Sequence, residues 1–221
     1  MNISIFESLG PVMIGPSSSH TAGAARLSRI AGIIAGKGYT SVSFGLHGSF
    51  AKTYLGHGTD KALVAGALGL REDDEHLALS FDLAKERKLS FSFYETELDD
   101  MHENSVQMTF LFPDGHSRTI IGASIGGGII TINRVDGFVA EFSVLSPTVL
   151  IFQKDIQGMV SRVSKIFADF DVNIANLKLS RDGRGGIACC IIETDGFISN
   201  EIYEKIKQIE NILSVCIINE K

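Results

Sequence analysis

The chain has 221 residues and a mass of 23.9 kDa, with 44% hydrophobic and 21% charged residues, an ordinary balance for a soluble globular protein. A formal net charge of −6 and the lack of any basic block argue against a nucleic-acid binder. No apolar run reaches about 18 residues, which excludes a helical membrane span, and Met1–Glu7 has neither the basic start nor the apolar core of a signal peptide.

The first informative stretch is Gly15-Pro16-Ser17-Ser18-Ser19-His20-Thr21-Ala22-Gly23. Pro16 lacks a backbone N–H and biases Gly15 towards an extended shape, so the chain enters from a loop. Behind it, residues 22–35 carry Leu27, Ile30, Ala31 and Ile34 at helical spacing. A serine then caps that helix, whose first turn offers free N–H groups to an anion. Ser17, Ser18, Ser19 and Thr21 add hydroxyls to the same spot. His20 adds a group that changes charge near neutral pH. One serine is enough for a cap; this cluster is a candidate carboxylate or phosphate seat.

Gly36-Lys37-Gly38 ends the helix, and residues 41–47 alternate as a half-buried strand, with His47 at its end. A short helix over residues 49–55 leads into Gly56-His57-Gly58-Thr59-Asp60. The glycines flanking His57 predict a turn that a ligand can approach, with Thr59 or Asp60 capping a helix over residues 61–68. Arg71 to Glu75 reads as a charged loop, residues 81–88 as a helix, and His76, His102 and His116 as solvated. Strands follow over 89–94, 106–112, 118–123, 129–135 and 138–144, turning at Pro113-Asp114-Gly115 and Asp136-Gly137. They predict a mainly antiparallel sheet. Gly126-Gly127-Gly128 has no following Lys-Ser/Thr or helix, so it reads as a connection between strands rather than a phosphate loop.

Leu145-Ser146-Pro147-Thr148 marks a boundary between a domain at 1–146 and another at 148–221. The second reads strand, helix, strand, strand, helix, strand, the βαββαβ order of a ferredoxin-like fold. Its helices carry apolar stripes, Val160, Val163, Ile166, Phe167 and Phe170 on the first and Ile202, Ile206 and Ile209 on the second. The fold class is therefore α+β throughout. Cys189, Cys190 and Cys216 form no CxxC pair, which speaks against a metal or iron–sulfur site within the chain and fits reduced, buried thiols of a cytoplasmic protein.

Residues 148–221 resemble an ACT domain, a ligand-sensing module of amino-acid metabolism. The resemblance lies in Lys154-Asp155-Ile156-Gln157-Gly158-Met159-Val160, which looks like that family's first strand–helix turn, and in Asp171-Val172-Asn173-Ile174 with Asn176. It implies self-association through ACT domains and a regulatory ligand near Asp155, Gln157, Gly158, Asn173 and Asn176.

The segments Gly15–Ala24 and Gly56–Asp60 resemble the iron–sulfur-dependent L-serine dehydratases, here the separate beta chain of the two-subunit type. The resemblance implies loss of the 2-proton and 3-hydroxyl of L-serine, giving pyruvate and ammonia without pyridoxal phosphate. It also implies a [4Fe-4S] cluster ligated by the partner alpha chain, with no metal ligand in this one. His20 and His57 become the candidates for proton transfer, with the base unassigned between them. Ser17, Ser18, Ser19, Thr21, Thr59 and Asp60 become the substrate-binding candidates. Residues of about 71–145 resemble the regulatory domain of bacterial phosphoglycerate dehydrogenases. The competing expectation is a non-catalytic amino-acid sensor acting through the ACT domain; a pure sensor has no use for the serine–histidine turn.

Overall fold

The computed structural model describes residues 17–220; the loop entry expected at Gly15-Pro16 and the Met1–Glu7 start lie outside the described residues. The chain divides into two compact units, Met1–Gly137 and Phe138–Lys221.

The first unit opens on a wide π-helical turn, Ser18–Gly23, which runs directly into α1 (Ala24–Ala35). Leu27, Ile30, Ala31 and Ile34 are all buried, as their spacing requires. Then come β1 (Ser41–Leu46), α2 (Gly48–His57), α3 (Thr59–Ala67), a 3-10 turn (Glu75–Leu79), α4 (Ser80–Glu86) and β2 (Ser90–Glu95). A meander of β3 (Ser105–Leu111), β4 (Ser117–Gly126) and β5 (Ile129–Val135) completes it. Within the unit the strands lie in the order β2-β1-β3-β4-β5. Pairing is antiparallel from β1 through β5, as the alternating runs predict. The pair β1–β2 is parallel, because three helices carry the chain back before β2 begins. Helix α1 packs on β4 and against α3, burying Leu27 and Ile30 in a core with Phe44, Met108, Phe110 and Ile120.

Two local expectations are corrected. Helix α2 starts at Gly48 and includes His57, so His57 ends a helix instead of sitting in an open turn. Neither Thr59 nor Asp60 caps α3; Gly58 holds the cap position in the left-handed conformation, with no side-chain cap bond. The charged stretch Arg71–Asp74 is a loop, as its composition predicts. Glu72 is buried, and its carboxylate accepts from Arg29 Nη2 at 3.3 Å.

The second unit begins with β6 (Phe138–Phe142). Within that unit β6 lies beside β8 (Ile174–Arg181). Ser180 Oγ donates to the Val139 carbonyl at 2.9 Å, and Lys178 Nζ to the Glu141 carbonyl at 2.5 Å. From β7 (Thr148–Lys154) the order runs through α5 (Met159–Asp169), β8, β9 (Ile187–Thr194), α6 (Asn200–Lys207) and β10 (Ile212–Ile218). This is βαββαβ in a four-stranded sheet ordered β10-β7-β9-β8, as expected. Val149, Ile151, Cys190 and Ile192 pack against Val163, Phe167, Ile202 and Ile206 of the two helices. Val160 departs from the expected stripe and is exposed, while its neighbour Met159 is buried.

Candidate active site

Ser17 has extended backbone and caps the π-helical turn, its Oγ accepting from the His20 N–H at 3.2 Å. A wide turn of this kind displaces its side chains from ordinary helical positions and is frequent at functional sites. Here it packs beside α2, α3 and β4. On the β4 side Gly23 lies tight against Ser124, and a Cβ there would overlap Ser124 Oγ. On the α2 side Thr21 Oγ1 donates to the His57 carbonyl at 3.1 Å, satisfying one of the carbonyls that a helix end leaves free.

The two candidate histidines meet at this junction. Their ring centroids are 4.9 Å apart and the planes are tilted by 36°. Ser19 Oγ lies 3.1 Å and Ser17 Oγ 3.4 Å from His20 Nδ1, while Ser49 Oγ lies 3.2 Å from Nε2. The edge-on ring of Phe50 sits 5.3 Å away. Burial first, and then the charge His57 would carry, hold the His20 pKa below the usual 6.5, so His20 is a neutral imidazole at neutral pH.

His57 is constrained differently. Its Nδ1 lies 3.3 Å from the Thr53 carbonyl, which accepts and cannot donate. The proton of the neutral ring is thereby drawn to Nδ1, leaving the lone pair on Nε2. In that tautomer Nε2 is the ring atom able to accept a proton.

The structure thus brings together Ser17, Ser19, His20, Thr21 and His57. Ser18 lies on the same turn, half-buried. Thr59 and Asp60 follow directly in the first turn of α3, but Thr59 is fully buried and its Oγ1 has no partner among the described residues. Ser49, Phe50 and Thr53 escaped the sequence reading. Ser49, Thr53 and His57 recur every four residues, the spacing of one helix face. That signal was lost by ending the helix at Leu55. A separate cleft of about 740 Å³ lies between His47, Lys52 and the acidic segment Glu95–Met101. Its carboxylates suit a carboxylate substrate poorly, and it includes neither His20 nor His57.

The five ACT candidates do not converge within one copy of the chain. Asp155 accepts from the Gly185 N–H at 3.2 Å and from Arg181 at 3.0 Å, contacts that hold its carboxyl below the usual range. Gln157 is exposed and Gly158 caps α5 with φ 87°. Asn173 donates to Asp195 at 2.6 Å and Asn176 to Glu193 at 2.7 Å. Lys154 is opposite Ile187, whereas Thr148 is opposite Glu193. The Asp155 group and the asparagines therefore lie at opposite ends of the sheet, about 20 Å apart at the rise of a strand.

Among the described residues no group of three or more His, Cys, Asp or Glu is placed to hold a metal ion. Cys189 and Cys190 are buried in β9, where burial pushes the Cys190 thiol up to about 11, and Cys216 lies in β10. These thiols do not fit an iron–sulfur cluster, whose ligands are converging thiolates. No helix among the described residues is long and apolar enough to cross a membrane.

Comparison with known proteins is consistent across the chain. The family described as serine dehydratase beta chain matches residues 4–78, and the ACT domain family matches residues 148–211. The L-serine dehydratase beta chain of Peptoniphilus asaccharolyticus is 40% identical over 208 residues, 94% of each chain. The probable L-serine dehydratase beta chain of Bacillus subtilis is 35% identical over 212 residues, 96% of each. A D-3-phosphoglycerate dehydrogenase of Bacillus subtilis is 29% identical over 160 residues, 72% of this chain and 30% of that one. Those 160 residues exceed the length of the second unit, so the likeness reaches into the first.

Proposed function

Because this chain belongs to the L-serine dehydratase beta-chain family and ends in an ACT domain, we propose that it supplies the substrate-binding and proton-transfer half of an L-serine ammonia-lyase. The carrying observation is the His20–His57 pair at 4.9 Å, set among the serine hydroxyls of the first turn.

The hydroxyls of Ser17, Ser18 and Ser19, at the start of the turn, bind the carboxylate of L-serine. His57 Nε2 takes the 2-proton, since its Nδ1 proton is engaged by the Thr53 carbonyl. His20 stays neutral beside it, so the positive charge formed on His57 meets no second cation. Loss of the 2-proton and 3-hydroxyl gives 2-aminoacrylate and water, and hydrolysis of the aminoacrylate gives pyruvate and ammonia. The [4Fe-4S] cluster belongs to an alpha chain in this scheme, where it supplies a Lewis acid for the departing hydroxyl. No step is assigned to a thiol of this chain.

The test is anaerobic co-expression with an iron–sulfur alpha chain and measurement of pyruvate from L-serine, each chain alone serving as control. Pyruvate is expected only from the pair, and His20→Ala and His57→Ala should each remove most of it. Full turnover by both variants would overturn the assignment. An intact complex that forms no pyruvate would favour an amino-acid sensor acting through residues 148–221.

A further inference from the structure

Helix α2 surrounds the His20 ring on three sides: Ser49 at Nε2, Phe50 edge-on to the ring, and His57 against its face. The start of that helix is fastened to the segment entering β3. The Ser49 N–H donates to the Glu103 carbonyl at 2.8 Å, the Phe50 N–H reaches the same carbonyl at 3.4 Å, and the His47 N–H donates to the Ser105 carbonyl at 3.1 Å. Gly48 makes this approach possible. Its φ is 57°, and a Cβ there would sit 2.7 Å from the Glu103 carbonyl oxygen and 2.8 Å from its Cα. Ser49 is further held through its own carbonyl, which accepts from Thr53 Oγ1 at 2.8 Å.

The terminal torsion of an imidazole is broad, so packing restrains the ring loosely and hydrogen bonds at its nitrogens define its plane. At Nδ1 the partners are Ser17 and Ser19, from the same turn that carries His20 and able to move with it. At Nε2 the partner is Ser49, on a different and separately anchored element. The hydroxyl of Ser49 is therefore the hydrogen bond that ties a ring nitrogen to that anchored helix, whose Phe50 and His57 meet the ring by packing.

We infer that Ser49 is a positioning residue for the reaction: its hydroxyl holds His20 by Nε2 in the plane that faces His57. This rests on the proposed roles of the two histidines. Ser49 acts through His20, and its loss lowers turnover more than it weakens substrate binding.

The test uses Ser49→Ala and Ser49→Thr in the complex with the alpha chain, and ring-nitrogen NMR of His20 in this chain alone. Ser49→Ala should lower kcat about tenfold or more with KM changed less than threefold, in the range for lost supporting contacts. Ser49→Thr keeps the hydroxyl and should restore kcat to within about threefold. The His20 ring-nitrogen shifts should move in Ser49→Ala and return in Ser49→Thr, a readout that needs no active complex. Unmoved His20 signals in Ser49→Ala overturn the inference, as does a kcat within twofold of wild type while His20→Ala and His57→Ala are inactive. If those two histidine variants stay active, the functional proposal fails instead, so the two failures are distinguishable.

Discussion

Thr21 Oγ1 donates to the backbone carbonyl of His57 at 3.1 Å, joining two motifs 36 positions apart in the chain. The bond runs from the turn that carries His20 to the last residue of α2, so it sets the spacing of the two rings from behind. Thr21→Ala should cost about 1 kcal/mol of stability, the ordinary net worth of such a bond. Its effect on kcat should exceed what that loss of folded protein explains, and Thr21→Ser should recover both. Thermal melts and pyruvate formation check this side by side.

The depressed His20 pKa has two causes of unequal size, burial and then the neighbouring His57. His57→Gln should therefore raise the His20 midpoint in an NMR titration while leaving it below 6.5, because burial remains. The linkage has a definite sign. Between the native midpoint and 6.5 the unfolded chain binds more protons at His20 than the native chain does, so stability rises with pH in that window. The penalty begins as pH falls through 6.5 and levels off below the native midpoint. In denaturant melts the stability of wild type relative to His20→Gln should rise with pH across that window and be constant above it.

Gly23→Ala places a Cβ against Ser124 Oγ, next to Ser124 Cβ at 2.9 Å and the Ser18 carbonyl at 3.3 Å. The expected cost is about 1–3 kcal/mol, the range for overpacking. Adding Ser124→Gly removes the two closest atoms and should recover part of the loss. A double-mutant cycle by thermal melting measures the coupling directly.

The Arg29–Glu72 pair is buried, at 3.3 Å. Glu72→Ala removes this buried charged hydrogen bond and should cost about 1.5–3 kcal/mol. Replacing both by apolar residues, Arg29→Met with Glu72→Leu, should cost less than Glu72→Ala alone. Urea unfolding of the three proteins decides it.

How far the sequence carries the fold depends on which interactions decide each element. The second unit is legible because its periods are strong and local. Ile202 and Ile206 face one side of α6, and β7 through β10 are short runs bounded by turns. The parallel pairing of β1 with β2 is not local, since only the packing of three intervening helices brings Ser41 opposite Ser90. The burial of Glu72 within a charged loop is likewise not legible locally, since its partner, Arg29, lies on a helix far back in the chain. At the site, the hydroxyl and imidazole types point to proton transfer, and their convergence follows from tertiary contacts. His57 was misplaced for a local reason: Gly56 suggested a break, but the helix runs through it and stops at Gly58. That single misplaced helix end also hid Ser49 and Thr53.

The four-residue rhythm of α2 makes chain length itself a functional quantity. Ser49, Thr53 and His57 share one face only while the count between them is kept. Deleting one residue from the middle of α2 would turn everything after it by about 100° relative to everything before, with the composition almost unchanged. The Gly126–Gly128 turn, between β4 and β5, has no such phase to keep. Insertions and deletions among natural relatives should therefore be tolerated in that hairpin and rejected between Ser49 and His57.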